Sequence, residues 1–256
     1  MIINSFDPHT PAVFGPEAVY QAPGRPLCEV MMLTFSSEVI AHALARYPHQ
    51  QLAVLPGLNG DKPIYQFKDD PRIAFMMLPI TAAHAGMTVE EAAQITGCRR
   101  FVLFGSCGAL DAALTEGRLI VPTESYRDEG YSYHYAQAAD YITVNKASFV
   151  AGVLQDLGIP HVTGRAWTTD AIFRETRANV AKRRAEGCLA VDMECAGLQA
   201  MCDYRGYQYY TFFYTGDLLD APEWEQRILG KALELDHQLR NFQVALEVAR
   251  RVMDQT

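Results

Sequence analysis

Two carboxylates, Asp192 and Glu194, flank Met193 inside an otherwise apolar run that reaches Leu198. A carboxylate that is buried without a partner is costly, so this pattern indicates either a structural cap or a ligand site. Asp192 is suited to cap a helix, with Glu194 in its first turn, where the helix dipole favours an acid. The end of a strand of small apolar residues is also where α/β enzymes present ligand-binding groups. Glu194 is therefore the first candidate for chemistry.

Two further segments place polar groups at the ends of apolar strands. Residues 101–104 form a short strand pattern, which Gly105-Ser106-Cys107-Gly108 interrupts. Glycines beside a hydroxyl let the backbone approach an anion or a sugar closely, although the same pattern also forms ordinary turns. Residues 210–214 form an aromatic strand pattern that ends on Thr215-Gly216-Asp217. Asp217 is thus either a turn residue or a catalytic acid.

These segments resemble, in order and in content, the motifs of the nucleoside phosphorylase family, which contains the purine and uridine phosphorylases and related hydrolytic nucleosidases. The segment from Gly105 to Leu110 resembles the family's Gly-Thr-x-Gly-Gly/Ala loop, and Asp192-Met193-Glu194 resembles its Glu-Met-Glu ribose site. Thr215-Gly216-Asp217 is similar to the Ser-Asp pair of the purine-specific branch. Three more motifs match residues 116–123, 127–135 and 168–173.

The resemblance implies a single domain over residues 1–256 that cleaves the N-glycosidic bond of a nucleoside, by phosphorolysis and with purines preferred to pyrimidines. Glu194 would accept hydrogen bonds from the ribose hydroxyls, with Met193 packed under the sugar and His84 as a further ribose contact. Asp217 would protonate or hydrogen-bond the purine at N7, which is general-acid chemistry. Glu194 and Asp217 are therefore the implied catalytic pair.

The resemblance also implies contacts for the base and for the second substrate. Ile172 and Phe173 would contact the base together with Asp217. Gly105 and Ser106 would bind inorganic phosphate as a co-substrate. No cofactor and no metal are implied, and the expected partners are a small nucleoside and further copies of the chain, as a dimer or as a hexamer built from three dimers.

The three places where the family carries arginines for phosphate have other residues in this chain. Thr34-Phe35-Ser36-Ser37-Glu38 replaces the family's Gly-Asp-Pro-x-Arg loop, and the other two arginines would fall near Leu103 or Phe104 and near Tyr65 or Gln66. Arginine binds phosphate through charge-assisted contacts that a serine cannot replace. Three functions therefore stay open: a phosphorylase with a different anchor, a nucleosidase that activates water, and a non-catalytic nucleoside-binding protein.

Three residues have an open role. His9 could reach the 5′-hydroxyl group in a neighbouring subunit, as an N-terminal histidine does in relatives. Trp224 could cover the base, or it could pack at the start of a helix. His84, between a strand and a helix, is either a pocket residue or a structural histidine.

Composition excludes several classes of protein. With 256 residues and 49% hydrophobic residues, the chain can bury one large core, and no apolar run is long enough for a membrane helix. A net charge of −8 argues against a nucleic-acid partner. The N-terminus lacks the pattern of a secretion signal, and the six cysteines lack metal-type spacing, so we expect a reduced, cytoplasmic protein.

Strand and helix patterns alternate along the chain, which predicts an α/β fold in one domain, with a mixed, twisted central sheet flanked by helices. Strands are expected at 30–35, 72–79 and from 101 onward. Helices are expected at 36–47, 87–97 with Thr88 as the N-cap, 146–157, 174–186, 194–205 and 229–253. This alternation would bring the strand ends that carry the polar segments to one edge of the sheet.

Overall fold

The main buried core joins segments from almost the whole chain, from Cys28 before the first strand to Val252 in the last helix. A computed structural model provides the coordinates, and the structure describes residues 1–57, 60–221, 223–229 and 232–255. Before the first strand, an N-terminal arm of residues 1–29 contains two short 3-10 helices, Ile2–Asn4 and Pro16–Ala18.

Ten strands in the described residues form a single mixed sheet. They are β1 (Val30–Thr34), β2 (His49–Leu55), β3 (Lys62–Phe67), β4 (Ile73–Met77), β5 (Arg100–Ala109), β6 (Leu119–Asp128), β7 (Tyr141–Thr143), β8 (His161–Thr169), β9 (Cys188–Asp192) and β10 (Gln208–Leu218). Every residue of β1 and of β9 is buried. Such continuous burial is typical of strands with both faces covered, which explains why these two segments are apolar almost without interruption.

Helices flank the sheet. They are α1 (Ser37–Arg46), α2 (Ala82–Thr96), α3 (Ala112–Thr115), α4 (Ala147–Asp156), α5 (Arg177–Ala185), α6 (Cys195–Arg205) and α7 (Ala232–Met253). Ser36 caps α1 by accepting a hydrogen bond from the Val39 amide, and Thr176 caps α5 through the Asn179 amide. Gly97 and Gly206 end α2 and α6 in the left-handed conformation that glycine adopts easily.

Part of the sheet closes into a ring of five strands. Strand β5 pairs with β9, β9 with β8, β8 with β6, and β6 with β10, while β10 also pairs in parallel with β5. The rest of the sheet continues from β5 through β1, β4 and β3 to β2. The predicted class, an α/β fold with a mixed central sheet and flanking helices, is confirmed. The closure of five strands into a ring was not predicted.

Several local predictions were wrong. Helix α2 begins at Ala82, so that Thr88, the predicted N-cap, lies buried within the helix. Strand β5 runs on to Ala109, which places the Gly105 to Gly108 segment inside a strand and not in a turn. Strand β10 likewise includes Asp217. Both strands continue because they pair with each other along this stretch, and such tertiary pairing outweighs the turn preference of glycine.

The remaining helix predictions agree with the structure to within three residues at each described end. Of the helix predicted for 229–253, residues 230 and 231 lie outside the described part of the chain. No helix among the described residues combines the length and the apolar character that crossing a bilayer requires. All six cysteines are buried as free thiols.

Candidate active site

The ends of β5, β9 and β10 surround a cavity of about 160 Å³, called here the inner cleft. Five of the predicted site residues line it, namely Ser106, Ile172, Met193, Glu194 and Asp217. They meet because Gly108 on β5 is paired on one side with Val191 of β9 and on the other with Asp217 of β10. Segments that are distant in sequence are thus brought together by adjacent strands.

Asp192 organises the start of helix α6 from inside the protein. Its carboxylate accepts hydrogen bonds from the backbone amides of Glu194 and Cys195, at 2.9 and 2.7 Å, and from the Thr168 hydroxyl at 2.7 Å. Burial raises the pKa of Asp192, and these hydrogen bonds offset part of that effect. The capping role considered for Asp192 agrees with this geometry, so the residue is explained by structure alone.

Glu194 is presented to the cleft by that helix start, and it has a different environment. It is 6% exposed, and its Oε1 atom accepts a hydrogen bond from the Thr81 amide at 2.7 Å. Thr81 has a φ of +79°, in a region that residues other than glycine rarely adopt. Backbone strain of about 1–3 kcal/mol persists where the surroundings require it, and it is common at functional sites. Burial, followed by the charge of Asp192, raises the pKa of Glu194 above its ordinary value.

Asp217 follows a β-bulge in β10. The pairing with β5 shifts between Thr215 and Asp217, which leaves Gly216 as the extra residue. One carboxylate oxygen of Asp217 accepts a hydrogen bond from the Trp224 indole N–H at 2.6 Å. On its other side, a Cβ atom at Gly108 would lie only 3.3 Å from Oδ1 of Asp217, so glycine allows the two strands this approach.

A larger cavity of about 590 Å³, called here the outer cleft, shares Ile172, Glu175, Asp217 and Leu229 with the inner one. Its other lining residues are Phe173, Arg177, Val180, Leu219, Ala221 and Trp224. Glu175 was not predicted from the sequence. Burial and the charge of Asp217 raise the pKa of its carboxyl group to about 7. The helix dipole favours an acid next to the N-cap Thr176. The place of Glu175 in the sequence therefore gives no sign of a functional role.

A third cavity, of about 320 Å³, lies beside the inner cleft and shares Phe35 and Ser106 with it. We call it the polar recess. Its lining comprises Thr34, Phe35, Ser36, Ser37, Glu38, Gly105, Ser106, Tyr214 and Gln238. The two residues predicted to bind phosphate, Gly105 and Ser106, both lie here. Among the described lining residues none is lysine or arginine, and the only charged side chain is that of Glu38.

The structure brings some of the uncertain residues to the site and not others. Trp224 lies at the outer cleft in contact with Asp217, whereas Phe173 lines the same cleft but is 96% exposed. His84 is in the first turn of α2, and it is absent from the described lining of all three cavities. His9 is exposed in the N-terminal arm, where its amide donates to Asp7.

Comparison of the sequence with known proteins gives a match to a family model and matches to curated relatives. A family model described as the phosphorylase superfamily matches residues 37–255. A guanosine phosphorylase of Halorubrum lacusprofundi is 28% identical over 48% of this chain and 51% of its own length. A purine nucleoside phosphorylase of Limosilactobacillus reuteri is 25% identical over 53% of this chain and 58% of its own length. The matched region thus spans only about half of these relatives.

A solved structure of a futalosine hydrolase mutant from Helicobacter pylori strain 26695 is similar in fold. It superposes with a TM-score of 0.68 and covers 88% of this chain and 99% of that chain, at 15% sequence identity. At this identity the likeness concerns the fold alone.

Proposed function

The chain belongs to the phosphorylase superfamily, and from this membership we propose that it is an enzyme that hydrolyses the N-glycosidic bond of a purine nucleoside. The observation that carries the proposal is the inner cleft, where Glu194 and Asp217 line one small cavity. Cleavage of this bond develops positive charge on the ribose and negative charge on the departing base. A carboxylate for the sugar and an acid for the base are the groups that stabilise these two charges.

Each residue has a role in this proposal. Glu194, anchored by the Thr81 amide, accepts hydrogen bonds from the ribose hydroxyls, and Met193 packs under the sugar. These contacts strengthen as the ribose becomes positive, so they stabilise the transition state more than the ground state. Asp217 donates a proton or a hydrogen bond to the purine at N7, which improves the leaving group. Such general-acid assistance contributes typically ~10²–10⁴-fold.

The polar recess favours water over phosphate as the acceptor. It supplies hydroxyl groups from Ser36, Ser37 and Ser106 and a carboxylate from Glu38, with no lysine or arginine among its described lining residues. A phosphate dianion next to Glu38 would be repelled, and it would lack the charge-assisted contacts that usually bind it. A water molecule in the same place needs a proton acceptor. Glu38 is the carboxylate that lines the recess, and we propose that it accepts this proton.

Phosphorolysis is the second candidate. The two curated relatives described above are named as phosphorylases, and each aligns with this chain over about half of its own length. In that case, a cation from a second copy of the chain would have to enter the polar recess.

Product analysis distinguishes the candidates. The purified protein would be incubated with adenosine, guanosine, inosine and uridine, with and without inorganic phosphate. We expect free ribose at a rate that does not depend on phosphate, and slower cleavage of uridine. Formation of ribose 1-phosphate only when phosphate is present would establish phosphorolysis instead. Binding of a nucleoside without any cleavage would mean that the protein binds nucleosides but is not an enzyme.

A matched pair of variants tests the acceptor side. Glu38→Gln should reduce hydrolysis strongly, since the amide cannot take a proton from water. Glu116→Gln changes an exposed carboxylate that is not among the residues lining the three cavities, and should have no effect. Equal activity in the two variants would remove Glu38 from the mechanism.

A further inference from the structure

The outer cleft is larger than a purine base requires. Its volume of about 590 Å³ is more than three times the 160 Å³ of the inner cleft, which takes the sugar in the proposed function. A ribosyl group and a purine base have similar numbers of non-hydrogen atoms, so the base should need a similar volume. Much of the outer cleft therefore stays in contact with water when an unsubstituted purine is bound, and apolar walls that remain hydrated contribute nothing to binding.

Apart from Glu175, Arg177 and Asp217, the described residues that line this extra space are apolar or aromatic. Ile172, Phe173 and Trp224 are exposed by 47, 96 and 59%, and Val180 and Leu219 lie deeper. Large apolar side chains that gather at the rim of a cleft typically mark a binding surface. Because Trp224 also donates its N–H to Asp217, its ring is held beside the position proposed for the base. A planar apolar group attached to the base would lie against these rings.

Glu175 also requires a polar group on the ligand. Its side chain is half-buried on the wall shared by both clefts, and none of the described residues donates a hydrogen bond to its carboxyl group. A carboxyl group in such a place indicates a donor on the ligand. Asp217, its close electrostatic neighbour, is the residue assigned to N7 of the purine. The exocyclic nitrogen on C6 lies on the same edge of the purine as N7, so an N–H at that nitrogen would face Glu175.

Resting on the proposed function, we propose that the substrate is a 6-aminopurine nucleoside whose exocyclic nitrogen carries one apolar substituent. The remaining N–H of that nitrogen donates to Glu175, and the substituent fills the outer cleft against Phe173 and Trp224. The reaction is still cleavage of the N-glycosidic bond, with Asp217 at N7. This deepens the assignment of the site by naming the class of leaving group.

Substrate series separate this inference from the proposed function. The kcat/KM value would be measured for adenosine, N6-benzyladenosine, N6,N6-dimethyladenosine and inosine. We expect the benzyl compound to exceed adenosine by at least about 10-fold, which is the effect of burying one ring. The dimethyl compound, without an N–H, should fall below adenosine. If adenosine or inosine is cleaved as well as the benzyl compound, the inference is wrong while the proposed function stands.

Two variants test which residues cause the preference for N6-benzyladenosine. Phe173→Ala should reduce the preference for N6-benzyladenosine over adenosine by several-fold, whereas Leu114→Ala, at an exposed apolar residue that lines neither cleft, should leave it unchanged. Glu175→Ala should remove most of the discrimination against the dimethyl compound. Unchanged ratios in both site variants would overturn the inference even if the benzyl compound were a good substrate.

Binding can be followed without catalysis. The chain has two tryptophans, of which Trp167 is 1% exposed and Trp224 lines the outer cleft. Titration with N6-benzyladenine should change the intrinsic fluorescence in a saturable way, and the change should be lost in Trp224→Phe. If no nucleoside is cleaved but this signal saturates, the proposed function fails and the ligand class is retained. Absence of the signal in the parent protein would contradict the ligand class.

Discussion

At the residue scale, Glu194 is where function and stability are expected to conflict. Its carboxyl group is buried, and its pKa is raised because the folded state disfavours the charged form. The stabilisation that the protonated carboxyl provides is therefore present at low pH, and it is lost as the pH rises through the folded pKa. Catalysis, in contrast, is expected to use the charged form as an acceptor for the ribose hydroxyls.

We predict that Glu194→Gln lowers turnover by roughly 10²-fold, because it weakens hydrogen bonds that strengthen in the transition state. The same change should raise the melting temperature at alkaline pH, with ~1 kcal/mol corresponding to about 2–4 °C in a chain of this size. Steady-state kinetics and thermal unfolding at several pH values check both effects. Turnover equal to that of the parent protein on a confirmed nucleoside would remove Glu194 from the ribose site.

The second prediction at this scale concerns Asp217. Asp217→Asn keeps the shape of the side chain but cannot deliver a proton. Cleavage of purine nucleosides should therefore slow much more than cleavage of a nitrophenyl riboside, whose leaving group departs without protonation. The loss should appear in kcat more than in KM. Equal losses on both substrates would mean that Asp217 maintains the shape of the cleft and does not act as the acid.

At the scale of elements, the close approach of β5, β9 and β10 depends on Gly108. A Cβ atom at this position would lie 2.5 Å from the side chain of Leu219 and 2.8 Å from that of Val191. We predict that Gly108→Ala destabilises the fold by about 1–3 kcal/mol, as overpacking does, and that it reduces activity by displacing Asp217. Denaturant unfolding and kinetics measure the two effects.

Gly152 is the matched control for Gly108. It lies within α4, and a Cβ atom there would have no neighbour within 4 Å. Gly152→Ala should raise the stability by roughly 0.5–1 kcal/mol, because alanine loses less conformational freedom in a helix. If Gly108→Ala were as stable and as active as Gly152→Ala, the strands would not need to approach so closely.

The elements with strong patterns could be predicted from the sequence. The segment Val30 to Leu33 is continuously apolar, and Ser36 follows β1 as an N-cap, so both β1 and α1 were expected. Ser106, Met193, Glu194 and Asp217, which line the inner cleft, were also candidates by resemblance to a family. They lie together because of strand order, which the local pattern of one segment does not encode.

Other features depend on contacts that are distant in sequence. The hairpin of β2 and β3 was missed because Gln50, Gln51 and Gln66 interrupt any simple alternation, although Gln50 and Gln66 hydrogen-bond to each other at 2.8 Å. Glu175 was missed because its place before a capped helix already explains an acid. Its proximity to Asp217 arises only when α5 and β10 are packed in the same fold.

At the scale of the whole molecule, we predict that the chain self-associates. The tyrosine-rich loop 127–141 has the aromatic bias of an interface, but two of its tyrosines, Tyr131 and Tyr135, donate hydrogen bonds to Glu90 within the same chain. The N-terminal arm is a better candidate, because it exposes Val13 and Phe14 by 100 and 73%. Exposed apolar residues that gather in one segment are common at interfaces.

Light scattering coupled to size-exclusion chromatography checks this prediction. We expect a dimer or a larger oligomer for the parent chain, and dissociation to smaller species on the double change Val13→Ser and Phe14→Ser, which removes apolar contact area. The matched control is Leu114→Ser, at an exposed position outside the arm. A monomeric parent chain with full activity would contradict the prediction.

The ring of strands closes only when β10 pairs with β5, so we expect the protein to become active late in folding. The pairing of Gly108 with Asp217 joins β5 to β10 across much of the chain, and contacts of such high contact order form slowly. A nascent chain that has released only the first six strands contains Ser36, Glu38 and Ser106 of the polar recess, but it lacks Tyr214 of the recess and also Asp217. Recovery of circular dichroism on refolding should therefore precede recovery of turnover, and enzymatic activity becomes a reporter for the last step of assembly.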